Sequence, residues 1–240
     1  MTMFPPGPEP VALRLAPIAF SFPFPLACHP AAIPLSCIPG DKMELNPKPI
    51  YGNWAHGWAL DRHTLSSRSG DGERSKYDRF ATERSEIGEA LYRLKYRLDR
   101  GQLEPIARAA ADFVRNRLEF AGIRAVLPVP PSNMDRAFQP VAELAVAIGA
   151  GLSLPAPDDY LLKAKATPAL KNMEDTRERR SELDGAFAVA DQRYAGMHLL
   201  LFDDLFRSGE TLKAATAVLL FAGRAGSVSV LTATYTRSRS

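Results

Sequence analysis

The sequence predicts an α/β protein built around a mainly parallel β-sheet. Short apolar runs typical of buried strands recur along the second half of the chain. Helical patterns of about 10–15 residues separate these runs, an alternation typical of βαβ units. With 240 residues, of which 46% are hydrophobic and 24% charged, the chain is long enough to form one sizeable core.

Composition excludes several classes of protein. No apolar run approaches the roughly 18 residues of a membrane-spanning helix, so we expect no membrane contact. Two cysteines are too few for a disulfide scaffold, and the chain from Met43 onward has none, which favours the cytoplasm. A net charge of +3 is too small to indicate nucleic acid by itself, but it suits an anionic small molecule.

Residues 1–42 hold ten of the twenty prolines and are predicted to form a disordered Pro-rich tail. A signal peptide over the apolar residues 11–28 is the alternative, although Pro17, Pro23 and Pro25 interrupt the helix that such a signal needs. A third reading makes Met43 the true start, so that the tail is not translated.

Residues 43–84 contain both tryptophans, Trp54 and Trp58, between bend-forming glycines. This pattern predicts an aromatic hairpin or short sheet of its own, followed by a polar loop over residues 66–78. We expect the segment to form a small hood, and the two tryptophans to border an acceptor pocket. Metal binding by His56, Asp61 and His63 is an alternative to a local hydrogen-bond network there.

Residues 85–240 are predicted to form the α/β core. Ser85 is placed to cap the first helix, and Gly122 to end the second. The highly charged stretch over residues 173–183 is predicted to be partly helical. The predicted helices cover residues 85–100, 103–120, 136–148 and 209–222, and the predicted strands cover residues 123–130, 160–162, 186–189, 199–202 and 228–235.

Two adjacent carboxylates, Asp203 and Asp204, follow the apolar strand that begins at Leu199. Ligands of open α/β sheets bind at the carboxyl ends of the strands. Burying unpaired carboxylates costs several kcal/mol, so these two should contact hydroxyls, a cation or solvent. We therefore expect the pair to accept hydrogen bonds from a sugar diol.

The next turn, Arg207-Ser208-Gly209-Glu210-Thr211, leads into a predicted helix. Free backbone N–H groups and the positive end of the helix dipole favour a phosphate at such a turn. Gly209 permits close approach of the backbone, Ser208 and Thr211 add hydroxyls, and Glu210 should point away from the anion.

This pattern resembles the 5-phosphoribosyl-1-pyrophosphate (PRPP) motif of type I phosphoribosyltransferases, with Phe206 and Arg207 larger than usual. The wider chain, over about residues 86–235, resembles the ComF family. That resemblance rests on Tyr-Arg-Leu-Lys-Tyr at 92–96, Leu-Pro-Val-Pro-Pro-Ser at 127–132, Arg-Ala-Phe-Gln at 136–139, and residues 177–187. The N-terminal zinc module is missing, and Ala137 replaces the glycine of the family's Arg-Gly-Phe.

The resemblance implies a type I phosphoribosyltransferase-like sheet flanked by helices. It implies an enzyme that transfers a phosphoribosyl group from PRPP to an amine or nucleobase-type acceptor and releases pyrophosphate. Asp203 and Asp204 would be catalytic and would contact Mg²⁺ through water and the ligand. Residues 207–211 would bind the 5′-phosphate, and a homodimer is compatible with this scheme. The expected pyrophosphate-binding residues are Val129, Pro130, Ser132, Arg136, Lys163, Lys165 and Arg177.

The alternative function is a non-catalytic, ComF-like accessory or regulatory protein of DNA uptake that binds PRPP or single-stranded DNA. Arg84, Arg93, Lys95, Arg97 and Arg100 would then form a basic stripe. For Lys95, a surface lysine and a ligand contact remain equal alternatives. A Walker B strand, a receiver-type acidic cluster and a simple helix cap explain the acidic turn less well, since the chain has no P-loop and each leaves part of the turn without a role.

Overall fold

The computed structural model describes residues 42–69, 80–131, 138–164 and 185–236. Over these residues the chain is a mixed α/β protein with a central, mostly parallel sheet, which confirms the predicted class. The strands are β1 Lys48–Pro49, β2 His56–Arg62, β3 Thr64–Ser69, β4 Phe80–Arg84, β5 Ile123–Pro128, β6 Leu161–Lys163, β7 Phe187–Val189, β8 His198–Phe206 and β9 Ser227–Tyr235. The α-helices in the described ranges are α1 Glu86–Tyr96, α2 Leu103–Arg115, α3 Pro140–Leu152 and α4 Glu210–Phe221.

The central sheet has the strand order β1-β2-β9-β8-β5. Strands β2, β9, β8 and β5 are parallel, and β1 pairs with β2 in the antiparallel sense. The parallel strands therefore end at one edge of the sheet, at Arg62, Tyr235, Phe206 and Pro128. We call this edge the carboxyl edge.

Both faces of the sheet are covered, which is why its strands are nearly continuous apolar runs. Alternate residues of β8 enter two different cores: Leu199 and Leu201 pack toward α4 and the β6–β7 pair, and Leu200 and Phe202 pack toward α1, α2 and α3. All four are fully buried. Because side chains alternate along a strand, the residues that continue β8 must also divide between the two faces.

Helix α1 crosses the carboxyl edge from β2 to β8. At its start the hydroxyl of Ser85 accepts the N–H of Gly88 and donates to the carbonyl oxygen of Arg62, so the predicted cap also ties the helix to the end of β2. At its last turn Lys95 reaches Asp204 of β8. Gly88 lies against the backbone of His63, where a Cβ would come within 2.4 Å of the carbonyl oxygen.

The helix boundaries differ from the predicted ones. Helix α2 ends at Arg115 because the side-chain amide of Asn116 donates to the carbonyl oxygen of Asp112, and a short 3₁₀ turn follows. Helix α3 begins only at Pro140, whose fixed φ favours the first helical position. It continues through Gly149 and ends at Ser153, which has a φ of +57°.

Strands β1 and β2 pair in the antiparallel sense, as in the expected hairpin, but the alternative that the tryptophan segment forms a sheet of its own is wrong at strand β2. This strand pairs in parallel with β9 along its whole length and belongs to the central sheet. Part of the expected polar loop is also a strand, since β3 pairs with β4. The serine- and threonine-rich β3 has no apolar alternation that would have predicted it.

The expected Pro-rich tail lies outside the described residues except for Lys42, as does the charged stretch at 173–183. The division into tail, hood and core therefore stays a prediction. None of the helices in the described ranges is long and apolar enough to cross a membrane.

We expect Gly88→Ala to destabilise the protein although alanine favours helices. The added methyl collides with the backbone oxygen of His63, and such overpacking costs about 1–3 kcal/mol, more than the gain in helix propensity. Urea unfolding of Gly88→Ala measures this. Gly101→Ala is the matched control, because its Cβ would meet only the Asp99 side chain at 3.1 Å. Equal stability of the two variants would contradict this packing of α1.

Candidate functional site

The acidic pair lies within β8, which runs on to Phe206 rather than ending before the pair. Asp203 is in register with Thr232 of β9. By the alternation of the strand, Asp203 is on the face covered by α4, and Asp204 is on the face covered by α1. The two carboxyl groups therefore meet different neighbours although they are adjacent in sequence.

Asp204 is bound by Lys95. The Nζ of Lys95 lies 2.5 Å from Oδ2 of Asp204, and only 21% and 15% of the two side chains are exposed. Burial acts to lower the pKa of Lys95, but the charge of Asp204 and the hydrogen bond to it prevail, so that its pKa is raised. Of the two alternatives for Lys95, the surface lysine is excluded, and the residue makes a buried contact within the site.

Asp203 has a different environment. Its Oδ1 accepts the backbone N–H of Asp204 at 2.8 Å. Loss of solvent around the carboxyl group, together with repulsion from Asp204, raises the pKa of Asp203 to about 8. At neutral pH Asp203 therefore keeps its proton, whereas Asp204 is an anion neutralised by Lys95. Such a pair can both donate and accept hydrogen bonds, which suits neutral hydroxyl groups.

The turn after β8 has the geometry that the sequence predicted for its glycine. Gly209 has a φ of +77°, and a Cβ there would lie 2.8 Å from the ring of Phe206. Helix α4 starts at the next residue, and its first-turn amides receive no capping side chain from Gly209. The N–H groups of a helix's first turn have no partner within the helix, and they lie at the positive end of the helix dipole.

The side chains of this turn are arranged as follows. Arg207 is exposed, and Ser208 and Thr211 are partly buried. Glu210 is buried and its carboxylate binds the Nζ of Lys213 at 2.7 Å. The negative charge of Glu210 is thus partly neutralised next to the amides, which leaves the turn suited to an anion.

Residues expected to bind pyrophosphate are only partly described. Val129 continues β5, with its N–H donating to the carbonyl oxygen of Phe202, and Pro130 follows it partly buried. Both lie at the carboxyl edge, beside β8. Lys163 ends β6, and its Nζ lies 5.4 Å from the centre of the Phe187 ring. Burial lowers the pKa of Lys163. The remaining expected residues, Ser132, Arg136, Lys165 and Arg177, lie outside the described residues.

Both tryptophans pack against other described residues. Trp54 is buried, donates from its indole N–H to the carbonyl oxygen of Ile50, and packs in the core on the α4 face. Its ring lies next to the glycine turn, since a Cβ on Gly209 would be 3.6 Å from it. Trp58 makes an edge-on contact with Phe113 and lies under the guanidinium group of Arg117. The acceptor pocket and the hood stay predictions.

His63 is a site residue that sequence reasoning placed in the wrong group. The seven residues of β2 hold His56 and His63 on the order of 20 Å apart, at opposite edges of the sheet. A metal site that uses both is therefore wrong, and no group of three His, Cys, Asp or Glu side chains in the described ranges could hold a metal ion. His63 lies instead at the carboxyl edge, with its Nδ1 3.2 Å from Oγ1 of Thr234.

The acidic pair alone does not provide a complete set of ligands for Mg²⁺. Two carboxyl groups, one bound to Lys95 and the other holding a proton, do not form a closed set of ligands. Mg²⁺ takes oxygen ligands and usually keeps several waters, so a bound phosphate ligand and water would have to complete its coordination. The residues fit a metal ion that arrives with its ligand, and they do not fit one held by the protein alone.

Comparison with known proteins gives distant structural similarity only. No protein-family model matches the chain, and no curated protein matches it. A structure of UMP synthase from Leishmania donovani aligns with 68% of this chain and 27% of its own at 16% identity and a TM-score of 0.34. The chain thus spans about a quarter of that protein's length, and similarity at this level assigns no family.

We expect Lys95→Met to cost about 2 kcal/mol or more of unfolding free energy, because it leaves the Asp204 carboxylate partly buried without its partner. Arg93→Met is the control on the same helix. It breaks a more exposed pair with Asp99, which should cost less than about 1 kcal/mol. Lys95→Met combined with Asp204→Asn should lose less than the sum of the single variants. If denaturant unfolding shows that the losses in unfolding free energy are additive, the interaction between Lys95 and Asp204 is refuted.

The raised pKa of Asp203 predicts that stability decreases with pH. The unfolded carboxyl group releases its proton near pH 3.8 and the folded one near pH 8, so unfolding releases a proton between these values. The contribution of Asp203 is present below about pH 4 and is lost as the pH rises to about 8. Asp203→Asn should therefore stabilise the protein at pH 8 and leave stability nearly unchanged at pH 4. Unfolding curves measured across this pH range test the prediction. A stability difference between the variant and wild type that does not change with pH would refute the raised pKa of Asp203.

Proposed function

We propose that this protein is a phosphoribosyltransferase that binds PRPP with Mg²⁺ at the carboxyl edge and transfers its phosphoribosyl group to an amine or nucleobase-type nitrogen. The observation that carries the proposal is the run from Asp203 to Thr211. A carboxyl pair near the end of a buried parallel strand is followed by a glycine turn, and the first-turn amides of the next helix have no partner within that helix. The resemblance of this run to the PRPP motif of type I phosphoribosyltransferases supports the same function.

The two parts of the run suit the two ends of a ribose 5-phosphate. The amides and hydroxyls of residues 207–211 would bind the 5′-phosphate, with the exposed Arg207 adding positive charge. Asp203 and Asp204 would bind the ribose hydroxyls, one through a retained proton and the other as an anion. The bound phosphate would remain accessible to solvent, because the turn lies at the edge of the sheet.

The protein would accelerate the reaction mainly by stabilising the charges that develop on the ribose and on the leaving pyrophosphate. The bond between C1 and the pyrophosphate oxygen breaks, its electron pair leaves with pyrophosphate, and the nitrogen of the acceptor forms a bond to C1. Positive charge develops on the ribose, close to the Asp204 carboxylate, which favours the transition state. Mg²⁺, where bound with PRPP, would supply charge neutralisation for the leaving pyrophosphate.

The pyrophosphate group would lie between the end of β5 and the β6–β7 pair. Val129 and Pro130 are adjacent to β8 at this edge, and Lys163, which ends β6, is the one cation among the expected pyrophosphate-binding residues that lies in the described ranges. The single-stranded DNA alternative loses part of its basic stripe, because Arg84, Arg93 and Lys95 are each paired with a carboxylate.

Titration calorimetry with PRPP and Mg²⁺ tests this function. The double variant Asp203→Asn with Asp204→Asn should weaken PRPP binding by about 30-fold or more, since two hydroxyl contacts are lost and each contributes about 1–3 kcal/mol. A matched control replaces Asp159 and Asp191, the two carboxylates that pair with Arg193, by asparagine.

The control should bind PRPP as wild type does. Unchanged affinity of the Asp203 and Asp204 double variant would refute the assignment of the pair. Tight binding of PRPP without pyrophosphate release from any of a panel of amines and nucleobases would favour the non-catalytic alternative.

A further inference from the structure

His63 occupies a fixed position at the carboxyl edge, near the acidic pair. It directly follows β2, and its backbone N–H donates to the carbonyl oxygen of Tyr235 at 2.8 Å. The side chain is partly buried. Helix α1 lies against its backbone at Gly88 and reaches Asp204 with Lys95, so the imidazole shares its surroundings with the acidic pair.

The hydrogen bonds of Thr234 determine which ring nitrogen of His63 carries the proton. The hydroxyl of Thr234 has a single proton, which it donates to the backbone carbonyl oxygen of Asp204 at 3.0 Å. Its oxygen can therefore only accept from His63 Nδ1, 3.2 Å away. Nδ1 must be the protonated nitrogen of the neutral ring, which places the lone pair on Nε2.

The charges around the ring keep it neutral. Burial lowers the pKa of His63, and so do the cations of Lys95 on α1 and Arg84 on β4, while the carboxylate of Asp204 on β8 opposes them. At neutral pH the ring is thus an uncharged base, with Asp204 near enough to stabilise the cation that forms when it takes up a proton.

The proposed transfer requires such a base. The acceptor nitrogen carries a proton that must leave as the bond to C1 forms. Among the described groups around the acidic pair, the Nζ of Lys95 is bound to Asp204 and, as an ammonium group, has no lone pair to accept a proton. His63 Nε2 is the nitrogen in this cluster with a lone pair fixed by its neighbours.

We propose that His63 is the proton acceptor of the site, receiving the proton of the incoming acceptor nitrogen on Nε2 while its Nδ1–H stays bonded to Thr234. This inference rests on the proposed function. In this step the acceptor nitrogen forms a bond to C1, and the bond between C1 and the pyrophosphate oxygen breaks, with its electron pair leaving on pyrophosphate. The proton of the acceptor nitrogen moves to Nε2. The imidazolium ion then returns the proton to solvent.

His198 provides a matched control within the same sheet. It begins β8, at the opposite edge, and burial lowers its pKa as well. Its Nδ1 donates to the carbonyl oxygen of Ala121, so that it has the same tautomer, but its Nε2 is occupied by the hydroxyl of Ser229 at 2.9 Å. Within the described ranges, the two residues differ in whether Nε2 has a partner and in their distance from the acidic pair.

Chemical modification tests the position and the lone pair without requiring turnover. Diethyl pyrocarbonate acylates unprotonated Nε2, so mass spectrometry of the full chain should show modification of His63 about tenfold faster than that of His198. PRPP with Mg²⁺ should protect His63 and leave His198 unchanged. ¹⁵N spectra of the imidazoles should show the Nδ1–H tautomer for His63 at pH 7.

The outcomes separate this inference from the proposed function. If calorimetry shows PRPP binding and His63 is modified equally fast with and without PRPP, or carries its proton on Nε2, the inference is overturned and the phosphoribosyltransferase assignment stands. If PRPP does not bind at all, both are overturned.

Kinetics then distinguish proton transfer from a structural role. His63→Asn retains a side-chain N–H for Thr234 but has no basic nitrogen. With the acceptor that supports pyrophosphate release in wild type, kcat should fall about 100-fold, with the KM for PRPP unchanged and the acidic limb of the pH profile lost. His198→Asn should keep the wild-type kcat and profile. An unchanged kcat in His63→Asn would overturn the assignment.

Discussion

The ion pair between Lys95 and Asp204 is the contact on which the arrangement of the carboxyl edge depends. It joins α1 to β8 across 109 residues of sequence and removes both side chains largely from solvent. Because Lys95 neutralises Asp204, the strand can carry two adjacent carboxyl groups into a covered sheet. Burial of the Asp203 carboxyl group, together with repulsion from Asp204, raises its pKa so that it retains a proton, and the pair differs in charge although the residues are identical.

The same edge has two chemically distinct sides. On the α4 side, Gly209 and the first-turn amides of the helix form a turn suited to an anion. On the α1 side, Lys95 binds the carboxylate of Asp204. The hydroxyl of Thr234 links the backbone of Asp204 to the ring of His63 at the same edge. The two carboxyl groups have different neighbours because side chains alternate along β8.

The fold class and most elements were predictable because buried strands and amphipathic helices impose local periodicities. Strands β5 and β9 and helix α4 follow their apolar patterns closely, whereas β8 continues beyond its apolar run to Phe206. Helix ends were less predictable, since they depend on specific contacts such as that of Asn116 with Asp112. The membership of β2 in the central sheet was missed because the apolar pattern of a strand does not identify its partner strand.

The sequence by itself determined the carboxyl pair, the glycine turn and the cap at Ser85, because each depends on residues a few positions apart. Only the tertiary structure decided that Lys95 binds Asp204, that both tryptophans pack inside the fold and that His63 joins the site through Thr234. These contacts link residues that are distant in the sequence. They arise from strand order and from the path of α1 across the sheet, neither of which is encoded in a local pattern.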